Sequence, residues 1–264
     1  MSDGAAFQPV EAVSPRMGVG EFRAALAEEL RVALQELKEV PLALEAGAIE
    51  RMISFADELV RTNASFNLTA ITDPQGVAVK HLCDSLTPLL VGEWPEGAAV
   101  CDVGTGGGLP GMVLGIARPD LEVTFVDASQ KKVGFVERCA RELGVRGRAV
   151  HARAEELGQK AEYREAFAVV TARAVARLPV LLELCLPLCR TGGWFVAMKG
   201  PGAEEEIAEC EKALRVLGGR VDQVKSIRLP GGAGERWLVG VRKVSPTPAA
   251  YPRRPGIPAK KPLV

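Results

Sequence analysis

Asp102-Val-Gly104-Thr-Gly106-Gly107-Gly108-Leu109-Pro110-Gly111 is the stretch whose reading decides the fold. The apolar residues at 99–101 lead into it as a strand, and 109–119 leave it as a helix. A glycine-rich turn between strand and helix belongs at the carboxyl edge of an open α/β sheet, where such sheets bind ligands. Glycine suits that place because a backbone without Cβ turns tightly and approaches a ligand closely. Residues 122–128, Glu-Val-Thr-Phe-Val-Asp-Ala, read as a second strand, and its Asp127 can accept hydrogen bonds from ribose hydroxyls.

Outward from this pair the alternation continues. A helix is predicted over 130–144, strands over 148–154 and 166–175, a helix over 177–193 and a strand over 194–200. An acidic helix over 203–219 precedes two last strands, 220–229 and 235–244, joined by a short Gly-rich loop. This pattern predicts an α/β fold with a mostly parallel seven-stranded sheet, helices on both faces and an antiparallel edge strand from the final hairpin.

Upstream, Phe22, Leu26, Leu30, Ala33, Leu34 and Leu37 recur at helical steps, Pro41 interrupts, and Ile49, Met52, Ile53, Ala56, Leu59 and Val60 resume the pattern. A third helix over 75–90 follows Asp73-Pro74, a cap residue and a first-turn proline. The expected organisation is a disordered leader (1–20), an N-terminal helical cap (21–95), the sheet domain (96–244) and an extended, basic, proline-rich tail (245–264). Eight acids against three bases between Glu28 and Glu58 give the cap an acidic outer face.

Composition narrows the function. In 264 residues, 47% hydrophobic and 25% charged, fibrous and wholly disordered classes are excluded. No apolar run reaches the roughly 18 residues of a membrane helix, and no secretory signal opens the chain, so a cytoplasmic protein without a membrane partner is expected. Six cysteines without a C-x-x-C pair, and two histidines, predict no metal site. The 33 basic and 33 acidic side chains cancel, so any polyanionic partner has to be met by a patch. Lys131, Lys132, Arg138, Arg141, Arg146 and Arg148, against Glu137 and Glu142, offer one, or simply a solvated helix face.

Three readings of the glycine turn stand at this point. Gly106-x-Gly108-x-x-Gly111 satisfies the dinucleotide pattern of a nicotinamide-dependent oxidoreductase. Asp102 two residues before Gly104, with Gly-x-Gly and Asp127, is more typical of a site for S-adenosylmethionine. A noncatalytic nucleotide-binding module is the third. Asp102 itself is either a ligand residue or an Asx-turn residue.

The chain resembles the ribosomal RNA small subunit methyltransferase G family, also called the glucose-inhibited division protein B family. The match is carried by Asn67-Leu-Thr-Ala with His81-x-x-Asp84-Ser85, by DVGTGGGLPG, by Arg153-Ala-Glu155, and by Thr171-Ala-Arg173-Ala with Met198-Lys199-Gly200; Tyr251-Pro-Arg-Arg-Pro-Gly-Ile-Pro resembles the ending of some members. The resemblance implies a Rossmann-like fold and transfer of a methyl group from S-adenosylmethionine, leaving S-adenosylhomocysteine, to nitrogen 7 of a guanine in 16S RNA. Free RNA or the small-subunit (30S) particle is then the partner of a monomeric enzyme.

The implied cofactor site takes Asp102, Gly104, Gly106 and Leu109 from the turn, and Asp127, Ala128 and Ser129 from the end of the second strand. Ala154 and Glu155 follow at the adenine end, and Arg173 is expected to position donor or base with no general base required. His81, Lys199, Arg253 and Arg254 are the expected substrate contacts, Arg236 adding to the basic surface. For His81, Asp84 and Ser85 a buried packing network stands beside the functional reading. For Lys199 a solvated strand-end lysine does, and for Arg173 a surface salt bridge.

Overall fold

The computed structural model describes residues 18–41 and 43–264; the leader expected over 1–20 lies outside them up to residue 17. Helices α1 (Val19–Glu36) and α2 (Ala48–Asn63) bury the faces their periodicity marks, Phe22, Leu26 and Leu30 on one and Met52, Phe55 and Leu59 on the other. The expected third helix is a continuous helical run over 74–90, α3, with three kinds of winding. A short α-turn capped by Asp73 (Oδ1 accepts from Gly76 N at 2.7 Å) gives way to a π-helix, Val77–Cys83. An α-turn Asp84–Leu86 and a 3-10 turn Thr87–Leu90 finish it. π-Winding is rare and concentrates at functional sites. Here it carries His81.

The sheet follows: β1 (Ala99–Val103), α4 (Gly111–Ala117), β2 (Glu122–Asp127), α5 (Gln130–Glu142), β3 (Gly147–His151), α6 (Ala154–Leu157), β4 (Phe167–Arg173), α7 (Leu178–Cys185), β5 (Cys189–Lys199), α8 (Ala203–Ala208), α9 (Glu211–Leu217), β6 (Gly219–Arg228) and β7 (Glu235–Lys243). Strand order is β3-β2-β1-β4-β5-β7-β6, with β1 to β5 parallel. The antiparallel strand β7 pairs with both β5 and β6, which leaves β6 outermost. Side chains alternate between two cores: Val196 and Met198 face the N-terminal helices, and Phe195 and Ala197 face α7. Residues of α1, α2 and α3 share one continuous core with Met112, Val113 and Phe125 of the sheet domain.

Three boundaries differ from the expectation for physical reasons. The helix expected over 177–193 stops at Cys185, and 189–193 already belong to β5. Pro187 has no N–H with which to extend a helix, and Cys189 finds a strand partner in Phe167. The acidic helix 203–219 divides into α8 and α9 around Glu209-Cys210. The third strand ends at His151, and Ala154 opens α6 instead of closing the strand.

The tail is the largest departure. Expected to be extended, residues 245–264 are folded back onto the domain, with Pro252, Pro258 and Leu263 buried and a helical turn α10 (Ile257–Lys260). Arg164 donates to the carbonyls of Thr247, Pro248 and Tyr251, and Gln159 to that of Pro252 at 2.8 Å. Composition suggested solvation, but these backbone acceptors have partners elsewhere in the chain.

Candidate active site

The turn after β1 is built around Asp102. Its carboxylate is fully buried and accepts from Thr105 Oγ1 (2.6 Å), Gly111 N (3.0 Å) and Thr171 Oγ1 (3.0 Å). One side chain thus ties the turn, the start of α4 and the neighbouring strand together. Burial pushes its pKa up, against the pull of those hydrogen bonds and of Arg173. Asp102 therefore acts through the turn, although by bonds to Thr105, Gly111 and Thr171 and not by an Asx turn, with no carboxylate surface left for a ligand. Gly111 belongs to the same packing, since a Cβ there would stand 2.8 Å from Asp102 Oδ2.

Gly106 is different. Its φ is +58°, and a Cβ would meet nothing nearer than the Gly104 carbonyl at 3.9 Å. Its N–H donates to Asp127 Oδ2 at 3.0 Å, and Ser129 N donates to Oδ1 at 2.8 Å. Asp127 remains half-exposed. The end of β3 is tied to the same place by Ala152 N to Asp127 O (3.2 Å) and by His151 Nε2 against Ala128 O (3.1 Å). Gly106, Asp127 and Ser129 are thus brought together at the carboxyl ends of β1 and β2, where open α/β sheets form their ligand groove, and Ala154 and Glu155 follow the neighbouring strand β3. Leu109 is buried beneath the turn.

Beside the groove lies a cavity of about 430 Å³ whose walls include Thr69, Lys80, His81, Asp84, Arg173, Lys199 and Arg236. On one wall the carboxylate of Asp84, 2% exposed, receives Arg173 Nη1 at 3.2 Å on one oxygen and Arg236 Nε at 3.0 Å on the other. Arg173 Nη1 also donates to Lys80 O at 3.1 Å, so its bonds among the described residues use a single guanidinium nitrogen. Burial alone would drive charge off Arg173; Asp84 and Asp102 oppose it. Neither a solvated salt bridge nor a free surface arginine describes this group.

His81 sits 2.6 Å from Thr69 Oγ1 through Nε2 and 3.2 Å from Lys80 O through Nδ1. Burial first, and the charge of Arg173 second, push its pKa from 6.5 down to about 4. The ring is neutral at physiological pH, and both nitrogens are engaged. Because the unfolded chain takes up a proton near pH 6.5 that the folded chain refuses until about pH 4, the stability conferred by neutral His81 is complete above 6.5 and lost as pH falls through that window. The loss amounts to roughly 3 kcal/mol at most. Denaturant titrations at pH 7 and pH 4.5 should show a smaller acid loss in His81→Gln than in the unsubstituted protein. Equal losses would place the acid sensitivity elsewhere.

Other expected contacts are occupied internally. Lys199 Nζ donates to Ala176 O (3.0 Å) and pairs with Glu206 (2.8 Å), bracing the end of β5. Arg253 is locked to Glu183 (2.6 Å), a buried carboxylate of α7, because an unpaired charge there would be costly. Its side chain is a quarter exposed, whereas Arg254 is exposed and makes no ion pair among the described residues. Of the basic run over 131–148, Arg138 pairs with Glu58 and Arg148 with Glu162; Lys131, Lys132 and Arg141 make no ion pair among the described residues. Ser85 is buried with an unpartnered hydroxyl and does not line the cavity. Thr69 and Lys80 carry no pattern in the sequence that marks them as individual site residues. Thr69 was within reach, as part of the Asn67-Leu-Thr-Ala block. Asn63 positions it, accepting from Leu68 N and Thr69 N at 2.7 and 2.9 Å.

A β3-β2-β1-β4-β5-β7-β6 sheet with a glycine turn after β1 and an acid ending β2 defines a Rossmann-like methyltransferase. A family model described as rRNA small subunit methyltransferase G matches residues 48–235. Proteins named ribosomal RNA small subunit methyltransferase G are similar over most of their length. That of Lactobacillus delbrueckii subsp. bulgaricus is 51% identical over 80% of this chain and 89% of its own. Those of Geobacillus thermodenitrificans (46%; 86% and 96%) and Symbiobacterium thermophilum (44%; 90% and 99%) extend the match further. The chain belongs to the rRNA small subunit methyltransferase G family. The oxidoreductase and noncatalytic readings find no support in these relatives.

Proposed function

We propose that the protein transfers the methyl group of S-adenosylmethionine to nitrogen 7 of a guanine in small-subunit ribosomal RNA. The observation that carries this is the cavity beside the Gly106–Asp127 groove, basic on its walls and without a free general base. The groove fits the donor on its own chemistry. Open space over Gly106 admits a ligand against the backbone, and the half-exposed Asp127 suits ribose hydroxyls. S-Adenosylmethionine, when bound, supplies a methyl carbon on a positively charged sulfur.

Nitrogen 7 of guanine carries an in-plane lone pair and attacks without losing a proton, so positioning is the main task. A neutral, doubly hydrogen-bonded His81 is consistent with that, since no base is called for. Arg173 and Arg236, held by Asp84, present guanidinium N–H groups suited to O6 of guanine, which leaves the lone pair of the adjacent nitrogen 7 free for the methyl carbon. Lys80, together with Lys131, Lys132 and Arg141, supplies charge for the RNA backbone. The absence of a membrane-length apolar helix among the described residues leaves this reading unaffected.

The test is methyl transfer from labelled S-adenosylmethionine to free 16S RNA and to 30S particles, with mapping of the modified nucleotide. The expected product is one 7-methylguanosine. A label on a ribose hydroxyl, an exocyclic amine or a carbon would overturn the proposal. RNA affinity should fall steeply with salt through counterion release, while affinity for S-adenosylhomocysteine barely moves.

A further inference from the structure

The tail reaches the groove. Glu155, buried at the start of α6, accepts a hydrogen bond on Oε1 from Gly256 N at 2.9 Å, across 101 residues of sequence. Its Oε2 has no partner among the described residues. On the opposite flank, Ala176 and Arg177 of the loop after β4, with Pro179 and Val180 of α7, enclose a mainly apolar cavity of about 280 Å³ against Ala259 and Pro262. Between these contacts the segment is clamped by Arg253. Its backbone N, Nε and Nη2 all donate to Glu183, and Nη2 donates also to Lys261 O at 2.7 Å. The clamp closes 253–261 into a loop with Gly256 near its tip.

We propose that residues 253–263 form the outer wall of the adenosine end of the donor groove, so that tail docking and donor binding are coupled. The inference rests on the reading that the Gly106–Asp127 groove takes S-adenosylmethionine. The segment passes from the flank of β3 to the flank of β4, the two sides between which a nucleoside anchored by its ribose at Asp127 has to lie. The unpartnered Oε2 of Glu155, held in place through Gly256, suits the exocyclic amine of a purine. On this assignment Arg253 and Glu183 are positioning residues: they touch no ligand, and they set where Gly256 holds Glu155. Coupling is reciprocal, so a ligand that gains from the docked tail must also hold the tail down.

Hydrogen exchange of the full-length protein, with and without S-adenosylhomocysteine, reads this directly. Amides in 253–263, Gly256 among them, should exchange about tenfold more slowly with ligand, within the usual range of such couplings. A second arm uses Glu183→Gln, which loosens the clamp at nearly constant volume. Its affinity for S-adenosylhomocysteine should fall about tenfold, and its RNA affinity at fixed salt should stay the same. A purely structural tail would leave exchange unaltered by ligand. Unchanged exchange, together with wild-type ligand affinity in Glu183→Gln, overturns the wall and leaves the donor site standing. Stronger RNA binding in Glu183→Gln with unchanged ligand affinity would instead assign Arg253 to RNA. If the unsubstituted protein binds no S-adenosylhomocysteine, the donor reading fails and this inference fails with it.

Discussion

Replacing Gly106 with valine should lower affinity for S-adenosylhomocysteine by more than a hundredfold while leaving a folded protein. Two effects add. The left-handed φ of +58° is costly for a β-branched residue, about 1–2 kcal/mol. The new side chain also stands in the open groove and occupies ligand space. The fold survives because no protein atom other than the Gly104 carbonyl, at 3.9 Å, lies near the added Cβ. Gly107 and Gly111 give the contrast. A Cβ at Gly107 would stand 2.7 Å from Leu59, and one at Gly111 2.8 Å from Asp102 and from Phe125, so substitution there should lower thermal stability first. Calorimetry and melting curves on all three variants separate the cases. Wild-type ligand affinity in Gly106→Val would show that the turn is not the binding site.

Arg173→Ala should lower turnover by about 10² to 10³, the usual effect of removing one preorganised donor from a reacting centre. Binding of S-adenosylhomocysteine should change far less. Stability should drop by about 2 kcal/mol, the scale of a lost hydrogen bond to a charged group, because Arg236 still faces Asp84. Adding Asp84→Ala should recover part of that stability, since it removes a buried charge that has lost one partner, but no turnover. Arg173→Lys should rescue poorly, because an ammonium cannot reach Asp84 and Lys80 O while also presenting a donor to the base. Full activity in Arg173→Ala would reduce the group to a structural tie.

The parts of this molecule that were legible in the sequence are those written in local spacing. The turn 102–111, Asp127 at the end of its strand, and His81 and Asp84 three residues apart all lie within single elements. Their neighbours over long distances were not legible. Asp84 meets Arg236 across 152 residues and Glu183 meets Arg253 across 70, and no local pattern encodes such pairs. Counting charges in the tail and in 131–148 also failed to separate free cations from ones already neutralised. Arg253 and Arg148 carry carboxylate partners that only the fold supplies. The helix expected past Cys185 failed for a related reason: its apolar run suits either state, and the partner strand at Phe167 decides it.

The insertion of β7 between β5 and β6 sets an order of events on the ribosome. β6 leaves the exit tunnel before β7, yet it has no sheet neighbour until β7 arrives, because β7 is the only strand it pairs with. β5 therefore keeps a bare hydrogen-bonding edge from its own emergence until β7 arrives, a hazard for pairing with other nascent chains. Arg236 travels on that last strand, so the wall it gives the acceptor cavity is missing until the sheet has closed.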